Sequence, residues 1–157
     1  MAGSVVRPAV LADFTECFDL GREMITGTPW EPLGVTRRES HKTFANCVAS
    51  QAGFAWVACA DGAVVGVLLG SVLPWPLSDK RYVTDQTFAV KPGSPGAAAG
   101  LLDAFSAWAA NKGLPMFMAV SSGVGGKHVD MFYESRGFTR QGSMFHKAAP
   151  APGARAA

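Results

Sequence analysis

Two stretches of this 157-residue chain hold residue types whose spacing could do chemistry. The first reads Thr87-Phe-Ala-Val-Lys-Pro-Gly-Ser-Pro-Gly-Ala-Ala-Ala-Gly-Leu-Leu102, a strand-like run, a glycine-bearing turn and an alanine-rich segment. A turn of that kind opening a helix leaves several backbone N–H groups unpaired and pointed outward. With the helix dipole they make an anion site suited to a pyrophosphate. Small residues at Gly96, Ala97, Ala98 and Ala99 let the backbone approach a bulky phosphate. The same stretch also reads as a plain β-to-α connection in which Gly and Ala merely permit tight packing. The second stretch is Met131-Phe-Tyr-Glu-Ser-Arg-Gly-Phe138. A tyrosine early in a short helix that follows a parallel strand can project over the C-terminal edge of a sheet, where ligands of open α/β sheets sit. The phenol of Tyr133, with an ordinary pKa of about 10, is a reasonable proton donor to a leaving thiolate. Its other reading is a half-buried aromatic with a satisfied hydroxyl.

Other chemistries find less support. His41 and His128 stand without metal-ligand spacing and read as surface residues. Ser122 lacks the Gly-x-Ser-x-Gly setting of a nucleophile elbow. Cys17, Cys47 and Cys59 lie far apart, an odd set that reads as reduced thiols in a cytoplasmic protein, packed rather than reactive. A net charge of +2, with no basic run longer than Arg37-Arg38, argues for no nucleic-acid and no membrane-surface partner. The longest apolar run, Ala63 to Trp75, is broken by Gly66, Gly70 and Pro74 and is too short to cross a bilayer. No targeting segment is visible at the N-terminus. With 48% hydrophobic and 17% charged residues, the chain is expected to fold as one domain over residues 1–147. The Ala/Pro/Gly-rich end, 148–157, reads as a disordered tail.

The elements that must position these residues follow from periodicity and punctuation. Val5 to Pro8 is a short strand halted by proline. Leu11, Phe14, Phe18, Leu20 and Met24 predict a helix over Val10 to Thr26, with Asp13 and Glu16 at its positive end. Thr36 and Glu39 form a capping-box pattern for a second helix to about Ser50. Phe54 to Ala60 and Ala63 to Leu73 flank Asp61-Gly62, a hairpin turn signal. Val83 to Val90 is a further strand, Ala97 to Asn111 a helix stopped by Gly113 and Pro115, and Met116 to Ser121 a strand. Lys127 to Arg136 is a last short helix, and Phe138 to Lys147 offers a final strand. The order β-α-α-β-β-β-α-β-α-β is an α/β arrangement with a mixed sheet.

Phe88-Ala-Val-Lys-Pro followed by Gly96-Ala-Ala resembles the acetyl-CoA strand and pyrophosphate loop of GNAT N-acetyltransferases, and Met131-Phe-Tyr-Glu-Ser-Arg-Gly-Phe resembles their later helix. The two motifs stand about three dozen residues apart with a strand between them, and the resemblance covers roughly residues 5 to 147. It implies a mostly antiparallel mixed sheet with a central, splayed parallel strand pair flanked by helices. It also implies direct acetyl transfer from acetyl-CoA to a primary amine of a small molecule or protein. The family loop Gln/Arg-x-x-Gly-x-Gly/Ala lays onto Gly93-Ser-Pro-Gly96-Ala97-Ala98. Gly93 departs from the pattern, and Lys91 stands near as an alternative positive charge. Backbone amides from Gly96 to Gly100, Ala97, Ala98 and Ala99 among them, would hold the pyrophosphate. Phe88, Ala89 and Val90 would line the acetyl and pantetheine arm, with Ser121 and Ser122 assisting. Tyr133 matches the general acid. Asp85, two positions before Thr87, is the candidate base, directly or through water; its other reading is a surface or capping carboxylate. Trp30 and Trp75 are candidates for the acceptor pocket or for lids on the core. Glu23, Glu31, Asp79 and Asp85 are the only acidic residues expected near that pocket. A homodimer is what the resemblance implies of assembly. A CoA-binding, catalytically degenerate module is the competing reading, favoured by Gly93. A nucleotide-binding domain is disfavoured, because Asp103 comes too early for a ribose contact.

Overall fold

The strand-like runs pair in the order in which they occur in the chain. A computed structural model describes residues 3–119, 126–143 and 145–148. Its sheet holds β1 (Val5–Pro8), β2 (Gly53–Ala60), β3 (Ala63–Pro74), β4 (Arg81–Val90) and β5 (Met116–Phe117) in the order β1-β2-β3-β4-β5. The first three pairings are antiparallel and β4 with β5 is parallel. Asp61 and Gly62 take φ of 51° and 81°, the left-handed pair that a two-residue hairpin needs between right-twisted strands.

Helices α1 (Phe14–Ile25) and α2 (Arg37–Ala49) cover one face of the sheet, and α3 (Ala97–Asn111) covers the other. β3 lies inside the sheet, so its alternation sends Val67 into the α1/α2 core and Leu68 into the α3 core. On the first side Phe14, Leu20, Phe44, Val57 and Val67 are buried together; on the second Phe54, Leu68, Leu101 and Phe105 are. Each large side chain so removed from water contributes about 1.5–3 kcal/mol. α3 seats on β3 through an absence: a Cβ at Gly70 would run into the Phe105 ring.

The first helix departs from expectation at its start. A 3-10 turn, Leu11–Asp13, precedes α1, because the Asp13 carboxylate is otherwise engaged. It accepts from both Arg7 guanidinium nitrogens at 2.8 Å and from the Val10 N–H at 2.8 Å. That fork fixes the chain between β1 and α1, and the guanidinium hydrogen bonds hold the Asp13 carboxyl below the usual carboxylate range. Glu16 has a similar duty, accepting the Val64 N–H at 2.8 Å and so tying α1 to β3. Thr36 caps α2 through the Glu39 N–H, as its spacing predicts.

Three expectations are corrected near the C-terminus. β5 has two residues, Met116–Phe117, rather than Met116 to Ser121, since 118 and 119 have left the ladder and 120–125 lie outside the described residues. The last helix, α4, ends at Glu134 rather than Arg136, where Ser135, Arg136 and Gly137 turn the chain. No described residue between Phe138 and Lys147 is in a strand, because none of them joins the ladder beyond β5. The tail from 149 onward lies outside the described residues.

Gly70→Ala is expected to lower stability by about 1–3 kcal/mol through overpacking against Phe105, read from urea midpoints; an unchanged midpoint would show that α3 sits elsewhere. Asp13→Asn is expected to cost about 1–2 kcal/mol at neutral pH, once screening at the half-exposed Arg7 is allowed for. Because the folded carboxyl titrates below its unfolded value of about 3.9, the wild-type advantage exists above that pH and shrinks as pH falls through the folded pKa. Urea titrations of both proteins from neutral pH into acid would check this.

Candidate active site

β4 and β5 run together for two residues and then part. Val83 and Thr84 face Met116 and Phe117, and the Val83 N–H donates to Pro115 O at 2.9 Å. One residue further along β4, the ladder is replaced by a side chain: Asp85 Oδ1 accepts the Ala119 N–H at 3.1 Å. Asp85 therefore spans the mouth of the opening between the two strands. Burial pushes its carboxyl above the usual range, partly opposed by the Ala119 N–H and by its own amide.

A β-bulge falls at the same place. Leu69 pairs with Thr87 and Gly70 with Asp85, so Gln86 is an extra residue on β4. Its side chain is held: Nε2 donates to Ser71 Oγ at 2.9 Å, and the Cys47 thiol points at its Oε1 at 3.6 Å. The bulge changes the phase of the strand. The Lys91 N–H donates to Val65 O on β3 at 2.8 Å, so by strand alternation the amides of Ala89 and Thr87 also face β3. The amides of Phe88 and Val90 then face the opening. Upstream of Gln86 the odd residues face β5, as the Val83 bond demonstrates; downstream the even ones do.

Tyr133 reaches the same region from α4 (Lys127–Glu134). Its ring meets Phe138 edge-on at 5.3 Å. The turn after α4 is tied to α3 by Arg136 Nε and Asp103 Oδ1 at 3.1 Å, with the guanidinium 4.4 Å from the Phe132 ring centre on α4. The Tyr133 phenol is pushed up to about 12, first by burial and then by the charge of Asp85. A carboxylate that resists ionisation and a phenol that keeps its proton thus lie near enough for the charge of one to act on the other. That pair can take a proton at one point and give one at another.

The start of α3 supplies a second feature. Gly93 and Gly96 have φ of 76° and 80°, and Gly96 is the N-cap. Of the first-turn amides, Ala97 N–H is used by Ser94 O at 3.3 Å and Gly100 N–H by Gly96 O at 2.9 Å. Helix geometry gives those of Ala98 and Ala99 no intrahelical acceptor, and both residues are half-buried rather than enclosed. Gly100 also sits close against β1, where a Cβ on it would come 2.7 Å from Val6 Cγ2. Lys91 is exposed beside this turn.

Two clefts are present. One, about 1330 Å³, lies on the β5 and α4 side and is lined by Met116, Met118, Ala119, Tyr133 and Arg136 among others. The second, about 890 Å³, lies against α1 and α2 with Gln86, Thr87, Phe88 and Ala89 in its wall. Trp30 lines both. Trp75 lines neither: it packs edge-on to Tyr82, which packs edge-on to Phe117. Glu23, Glu31, Asp79 and Asp85 are likewise outside both linings, while Glu39 and Asp130 are in them. Ser121 and Ser122 lie outside the described residues. Cys17 and Cys47 are buried, and burial raises both thiols, that of Cys17 to about 12. Among the described residues no group of three or more His, Cys, Asp or Glu could hold a metal ion, and no helix is long and apolar enough to cross a membrane. Sequence reading missed Gln86 and Ala119, whose parts depend on pairing across the sheet.

No family model and no curated protein matches the sequence. Solved structures match over nearly the whole chain. A predicted acetyltransferase with acetyl-CoA from Clostridium acetobutylicum is 16% identical, with 92% of this chain and 96% of that one covered and a TM-score of 0.72. A GCN5-related N-acetyltransferase from Ralstonia eutropha is 17% identical over 94% and 100%, TM-score 0.65. An aminoglycoside antibiotic 6'-N-acetyltransferase from Acinetobacter haemolyticus is 14% identical over 93% and 98%, TM-score 0.67. At these identities the likeness is one of fold, and the chain has the GNAT fold.

Carbon-detected NMR is expected to place the Asp85 midpoint above about 3.9, with the Ala119 amide shifting in step. Asp85→Asn should let Tyr133 ionise at lower pH, because a charge that opposed the phenolate has gone. An Asp85 midpoint at or below the ordinary value, with Tyr133 unmoved by the substitution, would mean that the two groups do not share a site.

Proposed function

We propose that the chain is an N-acetyltransferase that moves an acetyl group from acetyl-CoA directly to an amine. The observation that carries this is the opening between β4 and β5, with Asp85 across it, Phe88 N–H facing into it and Tyr133 beside it. The turn before α3 fits a pyrophosphate: its first-turn amides at Ala98 and Ala99 lie at the positive end of a 15-residue helix, and the side chains of that turn from Gly96 to Ala99 are small. Acetyl-CoA would supply the activated acyl group as a thioester.

This chain's own groups then have distinct duties. Asp85 takes the proton that the attacking amine must lose, either itself or through water. The Phe88 N–H steadies the oxygen on which charge develops as the N–C bond forms, and being fixed in the strand it needs no reorganisation. As the C–S bond breaks, Tyr133 gives its proton to the departing sulfur. The amine has lost one proton and the thiolate gained one, so atoms and charge balance. Holding the two reactants together at the opening between β4 and β5 supplies the entropic part of the acceleration.

The absence of a cation or amide side chain at Gly93 favours a second reading, a CoA-binding module without turnover. Calorimetry with acetyl-CoA and an assay for released thiol separate the readings. Wild type is expected to bind, and Ala99→Glu to bind at least tenfold more weakly, because a carboxylate in the first turn suits the helix but competes with the phosphates. Tyr133→Phe should lower kcat about 10²-fold with acetyl-CoA affinity nearly unchanged. Binding with no thiol released for any amine would favour the module; no binding at high micromolar acetyl-CoA would end both readings.

A further inference from the structure

The cleft on the α1/α2 side of β4 is the one an acceptor would enter, since Gln86 to Ala89 of the reacting strand form part of its wall. Its volume, about 890 Å³, suits a small organic molecule. The walls are mostly apolar: Phe18, Met24, Ile25, Leu33 and Val35 face it, with Trp30 at the boundary with the other cleft. Among the described residues lining it, one is charged, Glu39, and its carboxylate already meets Arg38 at 3.3 Å. Glu31, which the sequence placed near this pocket, spends its carboxylate on the Gly27 N–H at 2.8 Å. Cations already lie over the Phe14 and Phe18 rings: the Arg37 guanidinium carbon is 5.1 Å and 5.4 Å from their centres.

We infer that the acceptor is a monoamine carried on an aromatic or branched aliphatic body, bound in this cleft with Trp30 between that body and the reacting centre. The inference rests on the acetyltransferase reading and narrows its substrate class. A molecule with several ammonium groups would lose their hydration here and find one carboxylate, itself paired. An apolar body loses nothing polar and covers Phe18, Met24 and Leu33. The single amine reacts as the free base, its ammonium proton left to solvent. As its nitrogen bonds to the acyl carbon it gives one proton to Asp85, and as the C–S bond breaks Tyr133 gives one to the sulfur, so no carboxylate is required in the body of the cleft.

The test compares thiol release from acetyl-CoA with 2-phenylethylamine, spermidine and an aminoglycoside, for wild type and Leu33→Glu. Leu33 is 77% exposed, so the substitution leaves the core intact while adding a carboxylate to the wall. For wild type, kcat/KM for 2-phenylethylamine is expected to exceed that for either polycation at least tenfold. Leu33→Glu should narrow that gap at least tenfold, through a higher KM for the arylalkylamine and a lower one for spermidine. Polycations used equally well or better by wild type, or a preference that Leu33→Glu does not move, would overturn the substrate class and leave acetyl transfer standing. No thiol release with any of the three, despite acetyl-CoA binding, would count against both.

Discussion

Parallel strands that part leave amides and carbonyls with no ladder to join, and the cost of leaving them unpaired is the constraint around which this site is arranged. Each buried amide without a partner costs about 1–3 kcal/mol. Here one of the parted amides, that of the exposed Ala119 at the rim, is answered by the Asp85 side chain rather than by backbone. The opening can therefore persist without collapsing into a longer ladder. The same carboxylate is thereby drawn out of water, which is what makes it reluctant to ionise. Structure and reactivity come from one contact.

Two packed faces keep that opening in place. The α3 face is rigid where it matters: Phe105 fits over the bare backbone of Gly70, directly opposite Asp85 in the sheet register. From the other face, Cys47 on α2 reaches both Gly70 O and the Gln86 side chain. The point where β4 changes phase is therefore gripped from both sides. Arg7 and Asp13 do comparable work further out, fixing β1 to α1 so that α1 can close over β3.

Much of this was legible in the sequence, and the failures have physical causes. Asp61-Gly62, Thr36 with Glu39 and the run from Ala97 to Asn111 carry local signals, and local geometry decides them. Tyr133 and Asp85 were found separately by residue type; what joins them is the parting of β4 and β5, which no local pattern encodes. Gln86 could not be recognised, because a bulge is a relation between two strands and its neighbours Asp85 and Thr87 read as ordinary alternation. Trp75 stayed open between pocket and lid because an exposed tryptophan beside prolines looks the same whether it lines a cleft or packs on Tyr82. The span from Phe138 to Lys147 has strand-like composition, but composition does not supply an edge to pair with.

The extra residue in β4 also bears on how this strand can vary in length. Insertions and deletions are usually absorbed in loops, and a strand interior is where they do most damage. Gln86 makes β4 sensitive in an unusual way. Deleting Gln86 itself would only restore regular alternation and leave Phe88 and Val90 facing β5. A β4 that kept every residue in a regular ladder would instead exchange which amides look toward β5. Phe88 and Val90 would turn to β3, and Thr87 and Ala89 would take their place. The frame of the strand is thus a one-bit setting, with a competent fold on either side of it and the amide aimed at the reacting oxygen on only one.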